Sequence, residues 1–171
     1  MPDFAIELVG ICKCFGAVQA NQDVTLAVAK ASIHGIIGEN GAGKSTLMNI
    51  LYGYYQADSG SIKVNGQVAY IRNSQEAIKY GIGMVHQHFM LVETFTVLEN
   101  IVLGAEDTIR LNTSLSRARA HLEELNKKYS LAIDPDSQVS NLEVSLQQRV
   151  EILKALYRGA NVFILDEPTA V

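Results

Sequence analysis

The most informative segment of the chain reads Gly38-Glu39-Asn40-Gly41-Ala42-Gly43-Lys44-Ser45-Thr46. It matches the pattern G-x-x-x-x-G-K-[ST] and lies between an apolar run over 32–37 and residues 44–54, whose apolar side chains recur at helical spacing. A strand, a glycine-rich loop and a helix in this order predict a phosphate-binding loop. In such a loop, backbone N–H groups and the positive end of the helix dipole face phosphate oxygens.

Two side chains of this segment predict contacts with a bound nucleotide. Lys44 would reach the β- and γ-phosphates, and the Ser45 hydroxyl would ligate Mg²⁺, which keeps several waters and bridges the phosphates. The alternative is a glycine loop that only turns a strand into a helix. Such a turn does not require a lysine followed by a hydroxyl residue, so we favour nucleotide binding.

A pair of carboxylates follows the apolar run Val162–Leu165 near the end of the sequence. This run predicts a buried strand, and Asp166 would lie at its carboxyl end, where open α/β sheets bind ligands. Asp166 would hold Mg²⁺ through water, and Glu167 would polarise the attacking water as a general base. The alternative is a solvated acidic turn before Pro168, which the phosphate loop in the same chain makes less favourable.

Composition excludes several classes of protein. With 171 residues, 48% of them hydrophobic, the chain suits one globular domain. A net charge of −4 disfavours binding to a duplex phosphate backbone. No apolar run approaches the roughly 18 residues of a membrane span, and the N-terminus lacks the pattern of a signal peptide. We therefore expect a cytoplasmic location.

The sequence offers little support for a structural metal site. Cys12 and Cys14 are the 2 cysteines, without further ligands at zinc-binding spacing nearby, so we expect reduced thiols. His86 and His88 flank Gln87, and we interpret them as loop histidines rather than ligands.

Periodicity predicts the arrangement of the remaining elements. Alternation indicates antiparallel strands over 5–12 and 24–28, with a turn at Ala20-Asn21 between them. Asn65-Gly66 predicts a two-residue hairpin turn, and Ser74 is the expected N-cap of a short helix. Further expected elements are strands over 61–64, 67–71 and 82–85, the helix over 74–80, and helical segments over 97–103, 115–131 and 146–157. The last three predict an inserted helical lobe over about 96–157.

From about Ile6 to Thr169 the chain resembles the nucleotide-binding subunit of ATP-binding-cassette (ABC) transporters. The resemblance implies an α/β fold: a P-loop NTPase (RecA-like) core with an N-terminal antiparallel β part and the inserted helical lobe. It implies one partial ATP-binding domain over 1–171, which binds ATP and Mg²⁺ and hydrolyses ATP. The segment 38–46 is then the Walker A motif, and Asp166-Glu167-Pro168-Thr169 resembles Walker B.

The same resemblance gives roles to two further residues. Phe15, in Lys13-Cys14-Phe15-Gly16, matches the aromatic residue that stacks on adenine. Gln87 matches the glutamine that contacts Mg²⁺ and the attacking water and senses the membrane domain. The alternatives, which we favour less, are a core residue for Phe15 and an ordinary loop amide for Gln87.

The family signature Leu-Ser-Gly-Gly-Gln is degenerate here. The corresponding segment reads Leu142-Glu143-Val144-Ser145-Leu146, so Glu143 occupies the serine position, where a carboxylate would repel a polyphosphate. Ser145 and Gln148 predict a capping box at the start of the following helix. We therefore expect this chain to contribute weakly to a site shared with a partner cassette.

Segments 53–60, 86–92 and 146–156 resemble the first half of the duplicated ATPases that drive bacterial import of nucleosides and simple sugars. This implies a small polar solute, transmembrane permease subunits, a second nucleotide-binding domain, and a peripheral location on the cytoplasmic side of the membrane. Residues 87–99 mix aromatic, Met and aliphatic side chains, as expected where a groove receives a coupling helix, although core packing is an even alternative.

The family pattern continues beyond Walker B to a switch histidine, whereas His34, His86, His88 and His121 all precede it. We therefore expect a truncated cassette with slow or absent hydrolysis. We also expect uncovered apolar surface along the strand that begins at Val162.

Three other functions remain open from the residues. A nucleotide-binding regulatory module that closes on ATP without turnover agrees with Glu143 and with the missing histidine. A small-molecule kinase or GTPase is less favoured, because the Asn-Lys-x-Asp motif is absent and Walker B follows the loop by about 120 residues with helices between. A DNA-associated cassette ATPase is disfavoured by the acidic charge and the short helical insertion.

Overall fold

The computed structural model describes residues 3–86, 89–105 and 111–166, with the backbone alone at 111–114. The chain forms two compact units, Met1–Ile82 and Gly83–Val171. The combination of α and β elements is that of the expected α/β class.

The first unit is built on a four-stranded antiparallel sheet in the order β2-β1-β3-β4. Its strands are β1 (Phe4–Phe15), β2 (Val18–Ala29), β3 (Ser59–Val64) and β4 (Gln67–Ala69). Alternation along β1 buries Ile6 and Leu8 on one face, as the pattern predicts. The expected turn at Ala20-Asn21 is wrong, because Asn21 pairs with Lys13 inside β2 and the chain reverses at residues 16–17.

The hairpin turn at Asn65-Gly66 is confirmed. Asn65 has φ 51° and Gly66 has φ 78°, so both central residues adopt the left-handed conformation of a type I′ turn. This twist matches that of the flanking strands, and β3 and β4 pair directly across the turn.

Two helices complete the first unit: α1 (Lys44–Tyr52) and α2 (Ser74–Lys79). The N-cap of α2 is Asn73 rather than the predicted Ser74. Asn73 has extended backbone angles, and its side-chain oxygen accepts a hydrogen bond from the N–H of Glu76 at 3.0 Å. A neighbouring asparagine therefore takes the capping position.

The expected strand over 32–37 is not formed within the described part of the chain. Ile33 and Ile37 are 103% and 97% exposed. An apolar extended segment becomes a strand only when a neighbour accepts its backbone hydrogen bonds. Neither of the sheets that the structure describes includes this segment.

The second unit contains most of β5 (Ile82–Val85), which is hydrogen-bonded to β6 (Val162–Leu165) in a two-stranded sheet. All residues of β5 are buried, as predicted. The expectation that β6 is buried on both faces is wrong, because Phe163 and Leu165 are 37% and 48% exposed. Only one strand flanks β6 among the described residues, so its apolar side chains are left uncovered.

The predicted helices of the second unit are confirmed as α3 (Val97–Val102), α4 (Leu111–Tyr129) and α5 (Val144–Tyr157). Their apolar faces meet in one core that includes Val97, Ile101, Leu122, Val150 and Leu153. Within the described residues, no helix has the length and apolar character needed to cross a membrane.

Candidate nucleotide-binding site

The glycine-rich loop passes close to strand β2 at Gly43. Gly43 has φ 84° and is the N-cap residue of α1. A Cβ atom built there would lie 2.1 Å from the carbonyl oxygen of Ala20, which is far inside van der Waals contact. Only glycine combines this backbone angle with this close approach, so the loop geometry explains the residue type.

The Lys44 side chain forms hydrogen bonds with the backbone of its own loop. Its Nζ donates hydrogen bonds to the carbonyl oxygens of Gly38 at 2.8 Å and of Glu39 at 2.9 Å. The N–H of Ala42 donates to the same Glu39 oxygen at 3.2 Å. The side chain therefore folds back across the loop, which places one positive charge against it.

The predicted contact residues of the loop are open to solvent. Residues 38–42 are exposed, and Ser45 is exposed in the first turn of α1. Gly43, Lys44 and Thr46 are half-buried. The first turn of α1 contains no acidic side chain, so nothing in it repels an anion.

Asn21 is a site residue that sequence reasoning missed. It is 5% exposed, and its Nδ2 donates to the carbonyl oxygen of Gly43 at 3.2 Å. Its Oδ1 is buried without a hydrogen-bond partner. The sequence carried no signal for this role, because its periodicity predicted a turn at Asn21, where a polar residue is expected.

Phe15, the expected adenine-stacking residue, lies at the end of β1 and is 42% exposed, so the core alternative is wrong. Its ring meets that of Tyr55 at 5.1 Å between centroids, with planes 73° apart. The Nζ of Lys13 lies 5.5 Å from the Phe15 ring centroid. The ring is thus available to a ligand on the surface of the first unit.

In the second unit, Asp166 lies directly after β6, and His86 lies directly after β5. The N–H of Asp166 donates to the carbonyl oxygen of Val85 at 3.1 Å, so the two strand ends are adjacent. Burial lowers the pKa of the His86 imidazole, and the nearby carboxylates of Glu151 and Asp166 oppose this shift. A carboxylate at the end of β6 confirms the predicted place of Asp166 in the fold, while its role stays a prediction.

Glu151 is the second residue that sequence reasoning missed. It is 4% exposed on α5, and its Oε1 accepts a hydrogen bond from the N–H of Met90 at 2.9 Å. Lys154, one turn later, donates to the carbonyl oxygen of Met90 at 3.0 Å. Glu151 and Lys154, both on α5, thus bind the N–H and the C=O of Met90. Burial is the main cause that lowers the pKa of Lys154.

Two predicted catalytic residues, Gln87 and Glu167, lie outside the described residues, as do His88 and residues 168–169. Their roles stay predictions.

The degenerate signature segment leads directly into α5. Glu143 is the N-cap residue, and its carbonyl oxygen accepts hydrogen bonds from the N–H groups of Leu146 and Gln147. The predicted capping box of Ser145 and Gln148 is wrong, because the helix already begins at Val144 and no side chain caps it. Ser145 therefore lies inside the first turn, where its hydroxyl is not at the N-cap position.

Each unit contains an oxygen donor that suits a magnesium ion bound mainly through phosphates. Among the residues that the structure describes, no group of three or more His, Cys, Asp or Glu side chains could hold a metal ion. Mg²⁺ bound with a nucleotide needs only one or two protein oxygens in addition to phosphate and water. The Ser45 hydroxyl of the first unit and the Asp166 carboxylate of the second are each an oxygen donor of this kind.

Residues 21–170 match the family model for the ABC transporter. The chain belongs to the ABC transporter family. Relatives of this ABC chain include the guanosine import ATP-binding protein NupO of Bacillus subtilis, 48% identical over 99% of the chain and 33% of that protein. The nucleoside import ATP-binding protein NupA of Lactococcus lactis is 50% identical over 97% of the chain and 33% of that protein. The chain thus spans about a third of the length of these relatives.

Solved ABC cassettes have the same fold. A nucleotide-free ATP-binding cassette from an ABC transporter has a TM-score of 0.82 at 27% identity, over 99% of this chain and 70% of that one. The ADP conformation of the cassette MJ1267 has a TM-score of 0.82 at 28% identity, again over 99% and 70% of the two chains. The expected P-loop NTPase fold class is therefore confirmed.

Proposed function

We propose that this ABC chain binds MgATP on the loop 38–46 and hydrolyses it as the ATP-binding part of an importer for a nucleoside or simple sugar. The observation that carries the proposal is the Lys44 ammonium, held against a solvent-exposed glycine loop at the start of α1. A positive charge, a helix N-terminus and exposed backbone amides form an anion site of the kind that polyphosphates occupy. The names of the nucleoside-import relatives support the choice of solute.

Each residue of the loop has a separate part in this proposal. Main-chain N–H groups of residues 38–46, including those of Glu39, Asn40 and Thr46, surround the phosphates. Lys44 exchanges its loop carbonyls for the β- and γ-phosphates. The Ser45 hydroxyl, Asp166 through water and Gln87 hold the metal. A Mg²⁺ ion held there would neutralise charge that develops on the phosphates during transfer. Glu167 orients and deprotonates the attacking water, and Phe15 stacks on the adenine.

Transport requires partners, and we propose transmembrane permease subunits, a second nucleotide-binding domain, and a peripheral position on the cytoplasmic side of the membrane. The segment after Gln87 supports a contact with the permease. Met90, Val92 and Phe95 are 61%, 36% and 37% exposed there. Asn100, which is buried, binds both backbone groups of Val92, at 2.7 Å and 3.0 Å. An apolar surface on a firmly held backbone suits the docking of an apolar helix.

A second candidate function is ATP binding without turnover. Glu143 favours it, because its side chain is exposed at the N-terminus of α5, where the family signature carries a serine. A carboxylate at the N-terminus of a helix reduces the attraction of that terminus for phosphate.

Calorimetry and phosphate release together test the proposed function. We expect the intact protein to bind MgATP and its Lys44→Ala variant to lose most of this affinity, whereas Lys79→Ala, which removes an exposed lysine on α2 of the same unit, leaves it unchanged. Phosphate release by the protein assembled with its permease supports hydrolysis. Binding without release supports the second candidate, and no binding at all contradicts both.

A further inference from the structure

We propose that the base of the nucleotide is held in a corner formed by two rings, Phe15 and Tyr55, with Lys13 and Asp58 as positioning residues. This inference rests on the proposed function, and it adds three residues to the single aromatic contact that the family resemblance supplies. All four residues belong to the first unit.

The two rings meet nearly at right angles. Their centroids are 5.1 Å apart with planes at 73°, and the side chains are 42% and 40% exposed. Phe15 ends β1, whereas the N–H of Tyr55 is anchored to the carbonyl oxygen of Asn49 in α1 at 3.2 Å. A flat aromatic base can stack on one ring of such a corner while its edge meets the other.

Asp58 fixes the end of β1 that carries Phe15. Its Oδ1 accepts from the Lys13 ammonium at 2.7 Å, and its Oδ2 accepts from the N–H of Cys14 at 2.7 Å. Its own N–H donates to the carbonyl oxygen of Cys12 at 2.9 Å. One exposed carboxylate residue thus holds three successive residues immediately before Phe15, which restricts the ring that follows them.

Lys13 adds an electrostatic effect to this arrangement. Its ammonium is held by Asp58 at 5.5 Å from the Phe15 ring centroid, within the range of a cation–π contact. A cation near an aromatic ring draws electron density toward itself. The ring then presents a less electron-rich surface, which favours stacking with an electron-rich purine.

The corner is connected to the phosphate loop through neighbouring residues. Lys13 pairs with Asn21 across the β1–β2 ladder, and the Asn21 side chain binds the carbonyl oxygen of Gly43 at the end of the loop. The aromatic end of β1 and the loop are therefore joined by one pair of strands. A nucleotide that places its phosphates on the loop has its base within the same unit.

The test compares MgATP with magnesium tripolyphosphate, which has the phosphates but no base. In the intact protein, we expect Tyr55→Leu to weaken MgATP binding about three- to tenfold and Asp58→Asn to weaken it about two- to fivefold. Binding of tripolyphosphate should stay unchanged in both variants. Calorimetry gives both affinities, and thermal unfolding checks that the variants are folded.

Two matched variants control for loss of structure. Tyr54 is the neighbouring tyrosine, is 45% exposed, and pairs with the Tyr52 ring instead, so Tyr54→Leu should bind MgATP like the unmodified protein. Tyr55→Phe keeps the ring and should retain the affinity.

If the unmodified protein binds MgATP and both Tyr55→Leu and Asp58→Asn bind it with the same affinity, the aromatic corner is contradicted. The proposed function is unaffected by that result. The corner is also contradicted if both variants lose as much affinity for tripolyphosphate as for MgATP, since the substitutions then do not act through the base. If the unmodified protein binds neither ligand, the proposed function fails, and the corner fails with it.

Discussion

The side-chain amide of Asn21 on β2 donates to the carbonyl oxygen of Gly43, 3.2 Å away, at the junction of the glycine loop and α1. The same oxygen accepts the first helical hydrogen bond from the N–H of Leu47 at 3.0 Å. In a trans peptide the C=O and the following N–H point in opposite directions. Fixing the Gly43 oxygen toward the sheet therefore turns the N–H of Lys44 away from the sheet, which is the orientation that the proposed phosphate site requires.

We expect Asn21→Leu to leave the free energy of unfolding nearly unchanged, because the variant removes one hydrogen bond but also the unpartnered Oδ1. Asn21→Asp should lower the free energy of unfolding by about 2 kcal/mol. A buried carboxylate cannot donate a hydrogen bond to the Gly43 carbonyl oxygen, and its negative charge would lie against that oxygen. Urea denaturation of both variants measures the difference. Equal losses of stability would contradict this account.

Gly43→Ala should lower the free energy of unfolding by about 3 kcal/mol or more, through an unfavourable φ and the collision with Ala20. Gly41→Ala is the matched variant, because Gly41 has the same φ of 84° and nothing within 4 Å of a built Cβ. We expect a loss of about 1 kcal/mol for it. Thermal unfolding of the pair separates the steric effect from backbone strain, and equal effects would argue against the close approach.

Glu151→Ala should release the Met90 N–H from α5, while Lys154 still binds the Met90 carbonyl oxygen. It should lower the free energy of unfolding by about 2–3 kcal/mol, because the Met90 N–H and the Lys154 ammonium both lose a buried partner. Hydrogen exchange at the Met90 amide should accelerate. Glu151→Gln keeps an acceptor oxygen for this N–H and should protect it better than alanine does. Unchanged exchange in the alanine variant would mean that the contact does not hold the segment.

The Asp58 carboxyl supplies a pH-dependent contribution to stability. Its hydrogen bonds with the Lys13 side chain and the Cys14 backbone lower its pKa below the ordinary value of 3.8. Folding therefore favours the ionised form, so the contribution is present above this value and is lost as the pH falls through the lower folded-state pKa.

We accordingly expect the stability difference between the unmodified protein and Asp58→Asn to be larger at about pH 6 than at about pH 3. Denaturation curves at the two pH values measure it. Lys13→Met should produce a similar trend, and the double variant should add little to either single one. A difference that is independent of pH would contradict the ion pair.

Glu143→Ser should raise ATP turnover in the assembled transporter, because it removes a negative charge from the N-terminus of α5 and restores a hydroxyl at the family position. Glu123→Ser, on the exposed side of α4, serves as the control and should have no effect. Steady-state phosphate release is the measurement. Unchanged or lower turnover in Glu143→Ser would count against a repulsive role.

Local sequence patterns predicted local structure well. The G-x-x-x-x-G-K-[ST] pattern lies at the start of α1, Asn65-Gly66 turns the β3–β4 hairpin, and helical periodicity located α3, α4 and α5. Each of these depends on residues close in the chain, whose backbone preferences and spacing act over one or two turns. Capping was less predictable, because at Asn73 and Glu143 the helix begins one or two residues earlier than the strongest local motif suggested.

The amino-acid sequence alone determined the ABC family, the loop that carries Lys44, and the kinds of element along the chain, since these follow from short-range spacing. Only the tertiary structure decided that 32–37 is not a strand, that Asn21 supports Gly43 from 22 residues away, and that Glu151 holds Met90 across 61 residues. The physical reason is that a buried polar group or a strand edge needs a partner that folding brings from a distant part of the chain.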